Sequence, residues 1–223
     1  MLEIRFVSLS TAPAATTVIL AGPDASLSSH GRDIDRKTNG TVQRAAAAAS
    51  FKGKAKSTFE ILAPQGIEAN RLIVVGAGAD LEDHDRVQLG GYVMAQISAR
   101  KCATAHLIAE LADTGKVSPQ DLAADLAYGA LLRSYSFRKY LTRPADENGA
   151  GELKTLIVHC AKPEAVAEAF AARKAVAEGV FLARDLVNEP ANALGPVEFA
   201  ERVAEISSAG LEIEVLGHEQ LET

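Results

Sequence analysis

The chain opens on an alternation, with Leu2, Ile4 and Phe6 set against Glu3 and Arg5, the period of two that sends successive side chains to opposite faces of a strand. Residues 16–21 form a second apolar run bounded by Gly22-Pro23, and the short stretch between the two runs predicts a hairpin at a sheet margin. Residues 24–39 are polar and weakly periodic, so one helix is expected in this region, over 42–50, where consecutive alanines favour it. Phe51-Lys52-Gly53-Lys54 reads as a turn and residues 57–62 as a third strand. Residues 71–75 are the clearest buried strand, a β-branched run that stops at Gly76-Ala77-Gly78. A helix follows over 83–100, with Val87, Gly90, Gly91, Met94, Ile97 and Ser98 along one face. Residues 104–109 predict a strand. Ser118 then reads as the N-cap of a helix, Pro119 as its first residue and Asp121 as the closing member of a variant capping box, with Leu122, Leu126 and Leu131 continuing it toward Ser134. After a polar loop at 146–151, residues 153–160 predict a last strand. Strands alternating with helices need crossovers, so this part of the sheet is expected to be parallel, and the opening hairpin makes the whole mixed. The predicted fold class is α/β, with a mixed, mostly parallel sheet flanked by helices.

A long helix is predicted over 163–188. Val166, Phe170, Ala177, Val180 and Val187 recur at helical spacing, Pro163 suits a first turn, and Asn188 with Pro190 two residues later ends the pattern. Gly195-Pro196 opens another helix to about 208, and residues 211–216 read as a strand. One helix and one strand cannot bury a core of their own. The expected organisation is therefore a domain over 1–160, a linker helix over 161–190, and an incomplete second domain over 191–223. The apolar stripe of the linker helix needs a cover, and a symmetric dimer burying it is the expected one.

Composition narrows the classes. The 223 residues are 48% hydrophobic, enough for a core, and no apolar run reaches the roughly 18 residues needed to span a bilayer. The first residues lack a basic segment followed by an apolar one, so a cytoplasmic location is expected. Residues 1–160 hold 18 Lys+Arg against 17 Asp+Glu, while 161–223 hold 5 against 12, so neither segment is a strongly basic nucleic-acid-binding domain. Arg44, Lys52, Lys54 and Lys56 form a local basic cluster that reads as a solvated face. Cys102 and Cys160 both lie beside strand-like runs, as buried free thiols do.

Candidate chemistry is sparse. Gly76-Ala77-Gly78 invites comparison with a phosphate cradle, but Leu81 stands where a third glycine belongs and no acidic ribose ligand follows, so it reads as a tight turn. Glu82-Asp83-His84-Asp85 reads as acidic residues at a helix N-terminus, because adjacent side chains fan around a helix instead of converging on an ion. His30, His84, His106, His159 and His218 show no ligand spacing, and no G-x-S-x-G elbow occurs.

Three stretches carry a resemblance. The run E-G-V-F-L-A-R-D-L-V-N-E-P-A-N-A-L-G-P-V-E-F at 178–199 closely resembles the junction between the two domains of the leucyl aminopeptidase family, the two-metal cytosolic exopeptidases; F-K-G-K at 51–54 and G-A-L-L-R-S-Y-S-F-R-K-Y at 129–140 agree with it. The resemblance implies a macro-domain-like fold for residues 1–160, and 191–223 as the start of the catalytic domain. It implies a parent enzyme that releases N-terminal amino acids with two divalent cations, manganese or zinc, lowering the pKa of a bridging water. The family's motifs V-G-K-G-x-x-F-D-[ST]-G-G and N-T-D-A-E-G-R do not occur here, so no catalytic, cofactor-binding or metal-binding residue is assigned, and the chain by itself is expected to be inactive. The resemblance also implies a homo-oligomer, a hexamer in the family, with the catalytic domain as partner. Its rivals are an ADP-ribose-binding macro-like module and a DNA-binding regulatory module.

Overall fold

The computed structural model describes residues 2–10, 14–79, 81–141 and 153–221, so the polar loop expected at 146–151 lies outside the described residues. Six strands form one sheet: β1 (Glu3–Ser8), β2 (Ala15–Ala21), β3 (Thr58–Leu62), β4 (Ala69–Gly76), β5 (Thr104–Ile108) and β6 (Thr155–Cys160), in the order β1-β6-β5-β2-β4-β3. Two compact units are present, Met1–Glu178 and Gly179–Thr223. The sheet belongs to the first.

The sheet is mixed, as predicted, for a different reason. The opening strands do not form a hairpin: β1 pairs in parallel with β6, and β2 pairs in parallel with both β4 and β5. The antiparallel pair is β3 with β4, from Thr58 opposite Val75 to Leu62 opposite Arg71. Burial explains the outcome. From Thr16 to Ala21 every residue of β2 is buried, so it needs a neighbour on each side and cover on each face, which only a central strand has. In β1, Glu3, Arg5 and Ser8 are exposed, which suits an edge.

Helices cover both faces. On one, α1 (Ser29–Lys37) and α2 (Thr41–Ala48) bring Ile34, Val42 and Ala46 onto Ile19, Ala21, Leu72, Val74 and Ile108. Two helices stand where the sequence suggested one. Ser28 caps α1 by accepting from the Gly31 N–H, and Asn39 and Gly40, both left-handed at φ 53° and 72°, separate it from α2. The alternate residues Val18, Leu20, Ile73, Val75, Leu107 and Val158 are equally buried toward the opposite layer. That layer contains α3 (Asp83–Ser98), α4 (Pro119–Arg133) and the first part of α5 (Pro163–Asn188), whose Phe170 meets Phe6 of β1 edge-on, centroids 5.3 Å apart.

The bounds of α5 are those predicted, but its stripe is not a single face. Val166, Phe170 and Ala177 are buried, whereas Val187 is 85% exposed. The buried part is already covered within the chain, by Phe6 among others, so it is not free to form the expected dimer contact. In the second unit, α6 (Pro196–Glu205) starts where Gly195-Pro196 predicted, with the Glu198 carboxylate accepting the Gly195 N–H at 3.0 Å. The strand expected at 211–216 is absent; this unit supplies no neighbouring strand to ladder with it. A short α7 (His218–Leu221) follows.

Candidate functional site

Open α/β sheets bind ligands outside the carboxyl ends of their parallel strands, where N–H groups of turns and helix N-termini are free to hold anions. Here those ends are Ala21-Gly22 after β2, Gly76-Ala77-Gly78 closing β4, and Ala109-Glu110 after β5. Each donor set is already used by the chain itself.

At the glycine turn, the Gly76 N–H donates to the Ser57 carbonyl, Ala77 to Ala21 and Gly78 to Gly53, each at 2.9 Å. The segment after Phe51 lies directly over the turn. A Cβ added at Gly53 would sit 1.8 Å from the Gly22 carbonyl oxygen, and one at Gly76 would sit 2.2 Å from that of Lys54. The F-K-G-K stretch is therefore a plug of backbone on backbone, which is why it needs glycine there: Gly53 is also left-handed, at φ 66°. Phe51 anchors it against Phe59 of β3, centroids 4.9 Å apart. The tight-turn reading of Gly76-Ala77-Gly78 holds, because a cradle needs N–H groups that point at nothing else.

The N-terminus of α1 is filled in the same way. Glu110 accepts from the His30 backbone N–H and from His30 Nδ1, both at 3.1 Å, and from the Ser29 hydroxyl at 2.9 Å. A carboxylate from the end of β5 thus occupies the place an anionic ligand would take. The Ser, His and Glu do not form a nucleophilic triad. Ser29 and Glu110 meet the same ring nitrogen of His30, and Glu110 already caps the helix. Partial burial on its own would raise the Glu110 pKa, but the bonds from Ser28, His30 and Ser29 outweigh it and hold the carboxyl below its ordinary value. A depressed carboxylate contributes stability that is full above its unfolded pKa, about 4.3, and is lost as pH falls through the folded value. Glu110→Gln is expected to cost about 1–2 kcal/mol at neutral pH and to flatten the acid limb of a melting-temperature-versus-pH curve below about pH 5. An unchanged acid limb would show that this cap is not what acid breaks.

Behind the sheet, a charged cluster joins three helices. Asp125 of α4 accepts from Arg86 Nε of α3 at one oxygen and from Arg173 Nε of α5 at the other, both at 2.6 Å. Arg86 also reaches Asp83 and the Leu81 carbonyl, and Arg173 reaches Asp121, whose backbone N–H donates to Ser118 as the capping box predicted. Each guanidinium is spent on holding helices together.

The other sequence candidates are dispersed. Asp83 and Asp85 occupy the first turn of α3, and His84 faces Gln88. Lys52, Lys54 and Lys56 are exposed, with Lys56 donating to Gln88. Among the described residues, no group of three or more His, Cys, Asp and Glu is placed to hold a metal ion, so the two-cation centre implied by the resemblance has no fitting donor set there. Cys102 and Cys160 are free thiols; burial, with Glu164 nearby, pushes Cys160 up to about 11. One pairing escaped sequence reasoning. His106 and His159, 53 residues apart, meet at 2.9 Å because β5 and β6 pair in a register that sets Ile108 opposite His159.

The order of this mixed sheet, with helices on both faces and a long helix after its last strand, defines an α/β fold whose carboxyl-end turns are filled by the chain itself. A structural comparison agrees: a mutant of tomato leucine aminopeptidase matches all of this chain with 46% of its own, at a TM-score of 0.82 and 20% identity. The bottromycin maturation enzyme BotP, solved in complex with Mn, matches 94% of the chain with 40% of its own, at 0.68 and 24% identity. In sequence, the description of the cytosol aminopeptidase family's N-terminal domain matches residues 18–144. Probable cytosol aminopeptidases of Afipia carboxidovorans and Allorhizobium ampelinum are each 41% identical, over 99% and 96% of this chain but only 44% and 43% of their own length. The chain belongs to the cytosol aminopeptidase family and carries its N-terminal domain, and it spans less than half the length of these relatives. Among the described residues, no helix is long and apolar enough to cross a membrane.

Proposed function

We propose that this chain is the non-catalytic, assembly or regulatory portion of a cytoplasmic, metal-dependent leucyl aminopeptidase that releases N-terminal amino acids from peptides. On this reading residues 1–160 are the accessory domain, 161–190 the linker helix and 191–223 the start of the catalytic domain; two divalent cations, manganese or zinc, serve the parent enzyme through residues outside this sequence. The observation that carries the reading is the plugged end of the sheet. The N–H groups of Gly76, Ala77 and Gly78 are spent on Ser57, Ala21 and Gly53, and Glu110 fills the N-terminus of α1. The same observation weighs against an ADP-ribose-binding module, whose one supporting feature was the glycine turn. Nucleic-acid binding rests only on the exposed lysines of the 51–56 segment. Self-association into a family-type oligomer belongs to the proposal, through surfaces other than the buried part of α5.

The test is hydrolysis of leucine p-nitroanilide by the 223-residue chain with manganese or zinc. No turnover above buffer is expected, and fusion to the catalytic portion of a relative should restore it. Turnover that copurifies with the chain and is abolished by a chelator would overturn the non-catalytic assignment. Heat on titrating ADP-ribose, with a one-to-one endpoint, would instead favour the nucleotide module.

A further inference from the structure

We infer that the outer edge of β1 is a self-pairing surface, where a second copy of this chain adds its own β1 antiparallel about a two-fold axis at Ile4.

The ladder with β6 fixes which way the backbone of β1 points. The Glu3 N–H donates to the Lys154 carbonyl at 2.9 Å, so Glu3, Arg5 and Val7 turn their N–H and C=O groups toward β6. The intervening Ile4 and Phe6 turn theirs away from the sheet. Among the described residues, no strand lies beyond β1 to receive them. All of β1 from Glu3 to Ser8 is in register with β6, so this row of donors and acceptors is pre-formed and costs little ordering to use. Phe6 meets Phe170 of α5, which puts Ile4 and Phe6 on that face of the sheet and Glu3 and Arg5 on the other.

Charge selects both the partner and the register. Glu3 and Arg5 are exposed and bonded to each other at 2.7 Å, and the bond from Arg5 holds the Glu3 carboxyl below its ordinary value. Between antiparallel copies, outward-pointing residues have to oppose outward-pointing residues, so the allowed registers differ by steps of two. With Ile4 opposite Ile4, Glu3 faces Arg5 of the second copy and Arg5 faces its Glu3. Each charge then has an opposite neighbour both along its own strand and across the axis. These are non-hydrogen-bonded positions, where Cα atoms are about 4.5 Å apart and the side chains are closest. Sliding one copy by two residues in either direction sets Glu3 opposite Glu3 or Arg5 opposite Arg5, which is unfavourable. On the α5 side the chosen register brings Phe6 opposite Leu2, apolar against apolar.

The two-fold contact closes on itself, whereas pairing β1 with the far edge, β3, would run head to tail without end. The β3 edge is also the poorer one for a second copy. Left-handed Lys56 and Ala63 end the extended backbone on either side of it, and Glu60 is already held by Arg71 and Arg100. A single strand pair is smaller than the roughly 1,200–2,000 Å² of a standard interface, so the dimer is weak and depends on concentration. Pairing through β1 gives the self-association proposed for the parent enzyme a surface and rests on that part of the proposal alone; its failure leaves the non-catalytic assignment as it was.

Sedimentation equilibrium of the full chain, from about 10 μM to about 1 mM, is expected to show a reversible monomer–dimer equilibrium. E3R and R5E each set like charges across the axis and should each weaken dimerisation roughly tenfold or more. An equal mixture of the two should pair again as a heterodimer, and the double variant E3R/R5E should pair with itself, because in both cases every charge again meets its opposite. Amide exchange in the unmutated chain gives a check that needs no variant. Protection of the Ile4 and Phe6 amides is expected to rise with concentration, while that of Arg5, already bonded to β6, stays constant. A chain still monomeric at about 1 mM, a dimer indifferent to the charge variants, or one that leaves the Ile4 and Phe6 amides unprotected would overturn the inference.

Discussion

Replacing Gly90 and Gly129 together by alanine is expected to unfold the N-terminal domain. These two glycines are where α3 and α4 touch backbone to backbone. A Cβ at Gly129 would lie 1.9 Å from the Val87 carbonyl oxygen, and one at Gly90 would lie 2.1 Å from that of Leu126. Neither obstacle is a side chain that can swing aside; each is a carbonyl fixed in a helix, so the helices have to move apart along their length. Overpacking a well-filled interior costs about 1–3 kcal/mol and more where backbone has to shift, and two such sites on one seam compare with the roughly 5–15 kcal/mol that holds a domain together. Each single variant should lower the urea midpoint sharply, and the double variant should lack a cooperative transition. Gly179→Ala is the control. It lies within α5 with nothing near its missing Cβ, so there alanine should gain about 0.5–1 kcal/mol from helix propensity. If the seam variants behave like the control, the close approach of α3 and α4 is not what the domain depends on.

Asp125→Ala is expected to have the second largest effect, about 3–5 kcal/mol, because it leaves the buried Arg86 guanidinium with only the exposed Asp83 carboxylate and the Leu81 carbonyl as partners. The Arg86 side chain is only 8% exposed and that of Asp125 6%, so water cannot replace the lost partner. Arg173, at 26%, can turn outward and loses less. The asymmetry gives a sharper test than the single variant: Arg86→Met combined with Asp125→Leu removes both buried charges and should recover most of the loss, as apolar replacements of buried ion pairs do. Urea unfolding of the two single variants and the double gives the coupling directly. A cost for D125A below about 1 kcal/mol, the range of exposed pairs, would mean that the cluster is hydrated. Because Asp125 joins α3, α4 and α5, its loss is also expected to loosen the first turns of α5, and hydrogen exchange there would report it.

Much of this architecture is legible in the residues alone, wherever one local rule decides. The ends of α5 follow from Pro163 and from Asn188 ahead of Pro190; the start of α4 follows from Ser118-Pro119 with Asp121; the start of α6 follows from Gly195-Pro196 with Glu198. Caps and prolines act within one turn of chain, so sequence carries them fully. The junction run at 178–199 and the 51–54 and 129–140 stretches were likewise enough to name the family. The Asn39-Gly40 pair that divides α1 from α2 was also present to be read, as two residues that tolerate left-handed backbone.

Tertiary structure decided what depends on partners far along the chain. Whether β1 turns back onto β2 or crosses to β6 is not a property of either strand; it is settled by β2 being buried on both faces and taking β4 and β5 as neighbours. The strand pattern at 211–216 had no neighbour to pair with and formed none. The candidate site divides in the same way. That Gly76-Ala77-Gly78 is an incomplete cradle could be read from Leu81, but that its N–H groups are consumed by Ser57, Ala21 and Gly53 required the 53–57 segment to be folded over it. His106 and His159 meet through a strand register, and Asp125 meets Arg86 and Arg173 through the packing of three helices, so no local spacing announces either. Local conformational preferences are written one turn at a time. Pairing, register and the satisfaction of buried charge are fixed only when separate segments compete for the same neighbours.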